Sequence, residues 1–178
     1  MRKIILAIFV LFFTLSCCKK EDNPVLSGTA TIDNILYGAG PYYALGFSVT
    51  SGKNVSTLNS PLDVIAVLAD YDINYNVRKI YFATNNFFNS FYRFGQYSDA
   101  NAASLAFKNL TSFTDPSWKE LGDSVKTNQV WLYKTNSAGF AKLRVISTIA
   151  EKRDNKPFAS CTFEWVYQPD GSFTFPGK

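Results

Sequence analysis

The chain has 178 residues, of which 16% are aromatic and 18% charged, and its formal net charge is +4. It contains no histidine, which excludes Ser-His-Asp and Cys-His nucleophilic sites, histidine-ligated zinc and c-type haem attachment. A charge this small does not indicate a nucleic-acid partner. The chain also has no Gly-rich phosphate loop, and its carboxylates are scattered. We therefore predict no catalytic residues and no resident metal, and we expect a protein that is not an enzyme.

The N-terminus has the order of an export signal. Arg2 and Lys3 precede an apolar run over 4–13, and small residues and cysteines follow. This run is too short to cross ~30 Å of hydrocarbon as a helix, which needs ~20 residues. The sequence therefore predicts a removable signal peptide over 1–17, a lipidated tether over 18–27 and a single domain over 28–178.

The end of the signal is similar to a lipobox, the motif in which a leucine and small residues precede the cysteine that becomes acylated. The residues are Leu15-Ser16-Cys17-Cys18. Cys18 is the predicted lipidation site because Leu15 lies three residues before it, and Cys17 is the alternative. A disulfide or metal site at these cysteines would lack both a histidine and CxxC spacing. The likeness implies attachment to a membrane through lipid.

The residues after Cys18, Lys19-Lys20-Glu21-Asp22-Asn23, resemble the surface-export tag of some Gram-negative lipoproteins. The resemblance implies an outer-membrane protein that is exposed on the cell surface. Any polar, solvated tether would have a similar composition, so that alternative stays open.

Extended segments between clusters of Gly, Pro, Asn and Ser predict a mainly β, antiparallel, sandwich-like fold, because aromatic and β-branched residues favour strands. The strands predicted in the first half are 29–37, 42–50, 62–69 and 79–84. The segment 70–76 has oxygen-bearing side chains at alternate positions, as in a calcium loop, but Tyr75 and Tyr81 stand where that loop needs glycine and glutamate. We therefore interpret it as an amphipathic strand end, with Tyr71, Ile73 and Tyr75 on one face.

The segment 81–97 has more rings than one strand face needs. The rings around Arg93 are Phe87, Phe88, Phe91, Tyr92 and Phe94. Rings that are not buried can bind a flat or apolar ligand, and Tyr92 and Tyr97 are the predicted ligand contacts because each has a polar tip. The alternative is that these rings close the core.

One helix is predicted after Ser98-Asp99, whose oxygens can cap free amides. Its apolar residues have helical spacing: Ala102, Leu105, Ala106, Phe107 and Leu110. Asp115-Pro116 predicts a second, shorter helical turn over 118–121. Asp123-Ser124-Val125 is similar to a three-residue O-glycosylation site of bacterial envelope proteins, which implies modification of Ser124; an ordinary loop is the alternative.

Two hairpins are predicted at the C-terminal end, one pairing 130–135 with 140–149 and the other pairing 158–168 with 172–175. Lys142 and Arg144 alternate with apolar residues, which predicts a sheet with one face in water and both cations on it. Cys161 shares a strand face with Phe163, Trp165 and Tyr167, so we predict a buried thiol there.

The text from 128 to 175, with NQVWLYKTNSAGFAKLRVIS and CTFEWVYQPDGSFTF, resembles the HmuY-like family of surface lipoproteins, which capture haem. The resemblance implies a mainly β domain with one or two short helices, haem or another porphyrin as ligand, and a possible outer-membrane transporter as partner. The histidine or methionine ligands of that family cannot be carried over, since the only methionine is Met1. A tyrosine ligand, or porphyrin held between rings, is compatible with the sequence. The alternative is a domain of this fold that binds a glycan, a peptide or another envelope protein instead.

Overall fold

The computed structural model describes residues 26–58, 60, 63–86 and 88–176. It confirms the mainly β prediction, with two antiparallel sheets packed as a sandwich and one short helix. In chain order the elements are β1 (Ser27–Asp33), β2 (Leu45–Ser48), β3 (Lys53–Ser56), β4 (Ile65–Tyr71), β5 (Val77–Thr84), β6 (Phe91–Gln96), α1 (Ala100–Asn109), β7 (Gln129–Lys134), β8 (Phe140–Arg153) and β9 (Lys156–Gln168).

The larger sheet has the order β1-β9-β8-β7-β6 and the smaller one β3-β2-β4-β5. The prediction that the strands stop at 149 and resume at 158 was wrong, because β8 and β9 form one long hairpin. Its turn needs only Asp154 and Asn155, whose φ angles of 50° and 54° are the left-handed values of a two-residue hairpin turn. The predicted turn over 136–139 is confirmed, since β7 pairs with β8 up to Lys134↔Phe140.

The main core lies between the two sheets, and we call it the inner cluster. Alternate residues of β7, β8 and β9 point into it, as strand periodicity requires. The buried thiol is confirmed, because Cys161 is 1% exposed and lies in this cluster. Its largest members are Phe47, Phe82, Phe91, Trp131, Tyr133, Phe163, Trp165 and Tyr167.

A second apolar cluster covers the other face of the five-stranded sheet, so the predicted wet face was wrong. This outer cluster consists of Phe107, Leu110, Val130, Leu132, Phe140, Val166 and Phe175. Lys142 points into it and is only 5% exposed. Its Nζ donates to the carbonyls of Phe107 and Leu110, both at 2.8 Å, and Arg144 pairs with Glu164 at 2.8 Å. Helix α1 covers this face, and it lies far from β8 in the sequence.

Helix α1 begins where the sequence predicts it. The Asp99 carboxylate accepts a hydrogen bond from the Ala102 amide at 2.9 Å, which satisfies one of the free N–H groups of the first turn. Ala103 and Phe107 are its buried residues, so one stripe of the helix faces the sheet.

The hairpin predicted between 158–168 and 172–175 was wrong. Both edges of β9 are already paired, with β8 and with β1. The C-terminal segment therefore pairs with the chain after α1: the Phe175 amide donates to the Thr111 carbonyl (2.8 Å) and the Phe113 amide to the Phe173 carbonyl (3.0 Å). This pairing places Phe175 in the outer cluster.

The second helical turn predicted over 118–121 was also wrong, because none of these residues is helical. Lys119 forms a bridge with Phe91 and Gly122 with Phe82. The segment 119–125 therefore contacts β6 of one sheet and β5 of the other, and it closes the side of the sandwich between them.

Candidate functional site

Three strand connections lie at one end of the sandwich, which we call the loop end: 34–44, 72–76 and the β8–β9 tip over 146–157. Asp33 at the end of β1 pairs with Ser160 near that tip, and Asn34 Nδ2 donates to the Pro157 carbonyl at 3.0 Å. β5 begins after the 72–76 connection and ends at Thr84, far from the β8–β9 tip. At that far end, Thr84 Oγ1 is 3.2 Å from Tyr133 Oη. Residues 85–86 and 88–90 and the turn 135–139 lie at that opposite end.

Most of the large apolar side chains that are exposed in the described part of the chain belong to the loop end. Ile73 is 93% exposed, and Leu36 and Tyr42 are each 64% exposed. The others at this end are Ile35, Tyr37, Tyr71, Tyr75, Ile146 and Ile149. Single exposed apolar residues are ordinary on protein surfaces, whereas a concentration of them marks an interaction site.

The 34–44 connection is held by its own hydrogen bonds. Tyr37 and Tyr43 exchange backbone hydrogen bonds of 2.8 and 3.1 Å, and their rings stack with centroids 6.0 Å apart. Asn34 fixes the start of the connection, since its Oδ1 accepts from the Ala159 amide at 2.9 Å. Tyr42 is therefore presented to solvent from an ordered loop.

The 72–76 connection is a tight turn, so the strand end predicted over 70–76 was wrong. Asp72 Oδ1 accepts from the amides of Asn74 (2.8 Å) and Asn76 (3.0 Å), an arrangement typical of aspartate in turns. Hydrogen bonding from the Asn76 side chain and backbone lowers the pKa of Asp72. The turn leaves Ile73 at its tip and brings the rings of Tyr71 and Tyr75 to 5.9 Å.

In the segment that is similar to a calcium loop, the Asp72 carboxylate accepts hydrogen bonds within the turn itself. Across residues 26–58, 60, 63–86 and 88–176, no group of three or more His, Cys, Asp or Glu side chains is placed to hold a metal ion.

The structure places Tyr92 and Tyr97 away from the loop-end rings. Both are partly buried and pack against the outer cluster. Tyr97 lies over Gly95, where an added Cβ would be 2.6 Å from its Oη. Their role as ligand contacts stays a prediction.

The remaining rings of 81–97 divide between core and surface. Phe82 and Phe91 are fully buried in the inner cluster, as the alternative of core closure predicts. Phe88 is 58% exposed at the opposite end, and Phe87 lies outside the described residues.

Two open clefts lie outside the loop end. One, of about 360 Å³, is at the opposite end and is lined by Phe88, Asn89, Ser90, Lys134, Thr135, Asn136 and Ala138. The other, of about 350 Å³, is on the outer face of the smaller sheet and is lined mainly by small and apolar residues, among them Ala44, Ala66, Leu68, Ala83 and Leu121. Both volumes are near the lower end of the ~300–1,000 Å³ typical of ligand pockets.

Ser124 lies in the segment that joins the two sheets. It has a φ of 57°, and its Oγ donates to Asp123 Oδ1 at 3.1 Å. Asp123 also accepts from Lys79 Nζ at 3.2 Å, and this hydrogen bond lowers the pKa of the Asp123 carboxyl. Glycosylation of Ser124 stays a prediction.

The predicted lipidation sites Cys18 and Cys17 lie outside the described residues, as does the predicted signal peptide. The first described residue, Leu26, already packs against the inner cluster, and β1 begins at Ser27. No helix in the described residues is both long and apolar enough to cross a bilayer.

No protein-family model matches the chain, and no curated protein matches it. The likeness to the HmuY-like family therefore stays a prediction that rests on the residues quoted for it.

The loop-end rings are not predicted from the sequence by local ring density, which is highest in 81–97. The signal that was present is ring placement: Tyr37 and Tyr42 flank the Gly38–Pro41 turn, and Tyr71 and Tyr75 flank an Asp-Asn turn. Rings next to turn residues lie where strands end and cannot all face a core.

Proposed function

We propose that the protein is an exported, lipid-anchored protein of the outer-membrane surface whose β domain binds a ligand at the loop end without altering it chemically. The observation that carries this proposal is the concentration of exposed rings and aliphatic side chains on two ordered loops and one hairpin tip. Such side chains supply contact area for a ligand at little entropic cost, because the loops that present them are already held by hydrogen bonds.

Haem or another porphyrin is the first candidate ligand. A porphyrin is flat and largely apolar, so exposed rings such as Tyr42, Tyr71 and Tyr75 offer it stacking surfaces. With no histidine in the chain and Met1 the only methionine, a tyrosine oxygen is the axial donor that exposed loop-end residues offer to haem iron.

A glycan is the second candidate, favoured by the cleft at the opposite end. There the exposed Phe88 lines the same cleft as Asn89 and Asn136. An apolar platform combined with a few polar groups is the usual composition of small-ligand sites.

The position of the predicted anchor agrees with binding at the loop end. Ser27 at the start of β1 pairs with Val166, far along β9 from the β8–β9 tip. From Val166 to Lys156, at the β8–β9 tip, is ten residues of β9, or roughly 33 Å, whereas eight residues of tether from Cys18 to Leu26 span at most ~29 Å. An anchor at Cys18 therefore joins the domain at the end away from the tip, and only a tether folded back along the domain would bring the membrane close to the loop end.

Haemin titration of the chain from Asn23 to Lys178, followed at the Soret band, tests the ligand. We expect saturable binding that Tyr42→Ala or Tyr71→Ala weakens and that Phe88→Ala, the control at the opposite end, leaves unchanged. Iron-free protoporphyrin in parallel separates ring contacts from iron coordination. Loss of binding in Tyr92→Phe or Tyr97→Phe alone would move the site to the two residues predicted from sequence. Absence of saturable binding by the parent protein would contradict haem as the ligand.

Metabolic labelling with radioactive palmitate tests the anchor. Label should enter the full-length protein and be lost in Cys18→Ala, while Cys17→Ala retains it. The reverse pattern would move the acylated residue to Cys17, and absence of label in the parent protein would contradict lipidation.

A further inference from the structure

The β8–β9 hairpin extends beyond the rest of its sheet and leaves one of its edges without a neighbouring strand. β7 pairs with β8 only as far as Val130↔Arg144, and the last backbone contact is the Asn128 amide donating to the Val145 carbonyl at 3.0 Å. Among the described strands only β7 and β9 adjoin β8. The segment 147–153 therefore forms a free edge.

The register of the hairpin shows which backbone groups point to this edge. Arg153 and Lys156 flank the two-residue turn, and residues in that position form a hydrogen-bonded pair. Because hydrogen-bonded and non-hydrogen-bonded pairs alternate, the N–H and C=O groups of Thr148, Ala150 and Lys152 point away from β9.

The other edge of the hairpin is protected. On β9, Asn34 accepts from the Ala159 amide at 2.9 Å and donates to the Pro157 carbonyl at 3.0 Å, while Pro157 has no N–H to offer. Exposed strand edges tend to pair with other chains unless they are covered or blocked. The free edge of β8 has neither a side chain hydrogen-bonded to its backbone nor a proline in 147–153, and it is flanked by the exposed side chains of Ile146 and Ile149.

We infer that this free edge pairs antiparallel with the same edge of a second copy of the chain, about a two-fold axis at Ala150. Ala150 is the centre of 147–153, so each copy fills the free length of the other. In this register Lys152 lies opposite Thr148 of the second copy, Glu151 opposite Ile149, and Arg153 opposite Ser147, so no like charges face each other.

Neighbouring registers fit less well. A shift of two residues toward the tip places Glu151 directly opposite Glu151 of the second copy, which is repulsive. A shift the other way brings the tip of the second copy onto Asn128 and the start of β7, where the edge is already occupied. Length and charge therefore select the same register.

Antiparallel pairing also fixes where the two anchors lie. The two copies overlap only at their β8–β9 tips and run antiparallel. The end of each copy that lies away from its loop end therefore points away from the other copy. This consequence rests on the proposed lipid anchor: the pairing joins copies on facing membranes, or an anchored copy with a released one. An edge of this length buries less than the ~1,200 Å² of a standard interface, so the association is weak and reversible.

Sedimentation velocity over a range of concentrations tests the pairing without ligand or anchor. Residues 26–176 contain both sheets and both apolar clusters, so the chain from Asn23 to Lys178 keeps every described contact. Its sedimentation coefficient should rise with concentration. Ala150→Pro removes an N–H that points away from β9 and should weaken association roughly tenfold or more, whereas the control Ala150→Val should associate as the parent does.

Cysteine cross-linking tests the register. Two Cys residues introduced by Ala150→Cys meet across the axis with Cα atoms ~5.5 Å apart, within the ~4.4–6.8 Å that a disulfide spans. In the Thr148→Cys variant, each new cysteine lies opposite Lys152 of the second copy. The two cysteines are therefore four residues, or about 13 Å, apart along the strands, and no disulfide should form. A monomer at all concentrations, association of Ala150→Pro equal to the parent, or equal cross-linking of both cysteine variants would each overturn the inference. None of these outcomes bears on haemin binding by the monomer.

Discussion

Lys142 shows how a charged side chain is accommodated in an apolar cluster. Its ammonium group donates to two carbonyls at the C-terminal end of α1 and lies 4.8 Å from the ring centroid of Phe107 and 5.3 Å from that of Phe175. Helix ends leave carbonyls without intrahelical partners, and a cation there is favourable. Lys142 therefore fixes the helix to the sheet.

Replacing this lysine should destabilise the fold although the substitution is apolar. Lys142→Met keeps the volume but removes the donor to both carbonyls, and we expect the free energy of unfolding to fall by about 1–3 kcal/mol. Urea unfolding followed by circular dichroism measures it. The control Lys152→Met, on the exposed hairpin, should change the stability by less than about 0.5 kcal/mol. A Lys142→Met variant as stable as the parent would contradict the assigned role.

A buried thiol and a buried phenol predict how the stability of the protein changes at alkaline pH. Burial raises the pKa of the Cys161 thiol and of the Tyr133 phenol. Their unfolded values are about 8.5 and 10, so both groups stay protonated in the folded state at pH values where the unfolded chain loses protons. The contribution of these two groups to the free energy of unfolding is therefore fully present below about pH 8.5, and it is lost as the pH rises above that value.

The comparison of Tyr133→Phe with the parent checks this. The variant loses the contact with Thr84 Oγ1 and should be less stable at neutral pH, but its stability should fall less steeply above about pH 10. In the chain from Asn23, Cys161 is the only thiol, and it should react with a thiol reagent at pH 8 only on unfolding. Rapid reaction of the native protein would show that the thiol is accessible.

At the level of elements, the segment 119–125 is the connection that holds both sheets together on one side. Gly122 is the point of closest approach: a Cβ there would lie 3.0 Å from the Cβ of Phe82 and 3.3 Å from the ring of Trp131. Both neighbours belong to the inner cluster and have little room to move.

Gly122→Ala should therefore destabilise the protein by about 1–3 kcal/mol, the usual cost of overpacking. Thermal unfolding measures the effect. Leu121→Ala is the matched control, since Leu121 is the neighbouring residue and is exposed. Equal stability of the two variants would mean that 119–125 does not seal the sandwich.

Prediction from sequence succeeded for elements whose cause is local. The alternation in β8 and β9, the Asp99 cap of α1 and the 136–139 turn all depend on residues within a few positions of one another. It failed where a distant element decided the outcome. Lys142 alternates like a solvent-facing residue and is covered by α1, and the turn before 172–175 has suitable residues but leads to a strand whose edges are already paired.

The candidate site was hard to predict for the same reason. The rings of 81–97 are the densest in the sequence, yet the inner cluster takes Phe82 and Phe91 because β5 and β6 approach each other through 119–125. Tyr42 and Tyr75, by contrast, lie far apart in the sequence. They share one end of the molecule only because of the order and direction of the strands.

For the whole molecule, the decisive relation is that β1 starts at one end and the exposed rings lie at the other. An epitope inserted in the 154–155 turn should be bound by antibody on intact cells. The control insertion at 137–138 lies at the opposite end, which the proposed anchor places nearer the membrane, and it should be bound less. Labelling only after the cells are permeabilised would contradict surface exposure.

The pairing of β1 with β9 also determines how the protein would resist a pull. The two strands are in register from Ser27↔Val166 to Asp33↔Ser160. Tension from a lipid anchor enters β1 at Ser27, whereas tension from a ligand or partner at the loop end enters β9 near Lys156. These points lie at opposite ends of one strand pair, so the force acts along the strands and loads all their hydrogen bonds at once. A domain loaded in this way unfolds only when all the hydrogen bonds between β1 and β9 break together. It should therefore keep a bound ligand under a force that would separate two strands pulled apart from one end.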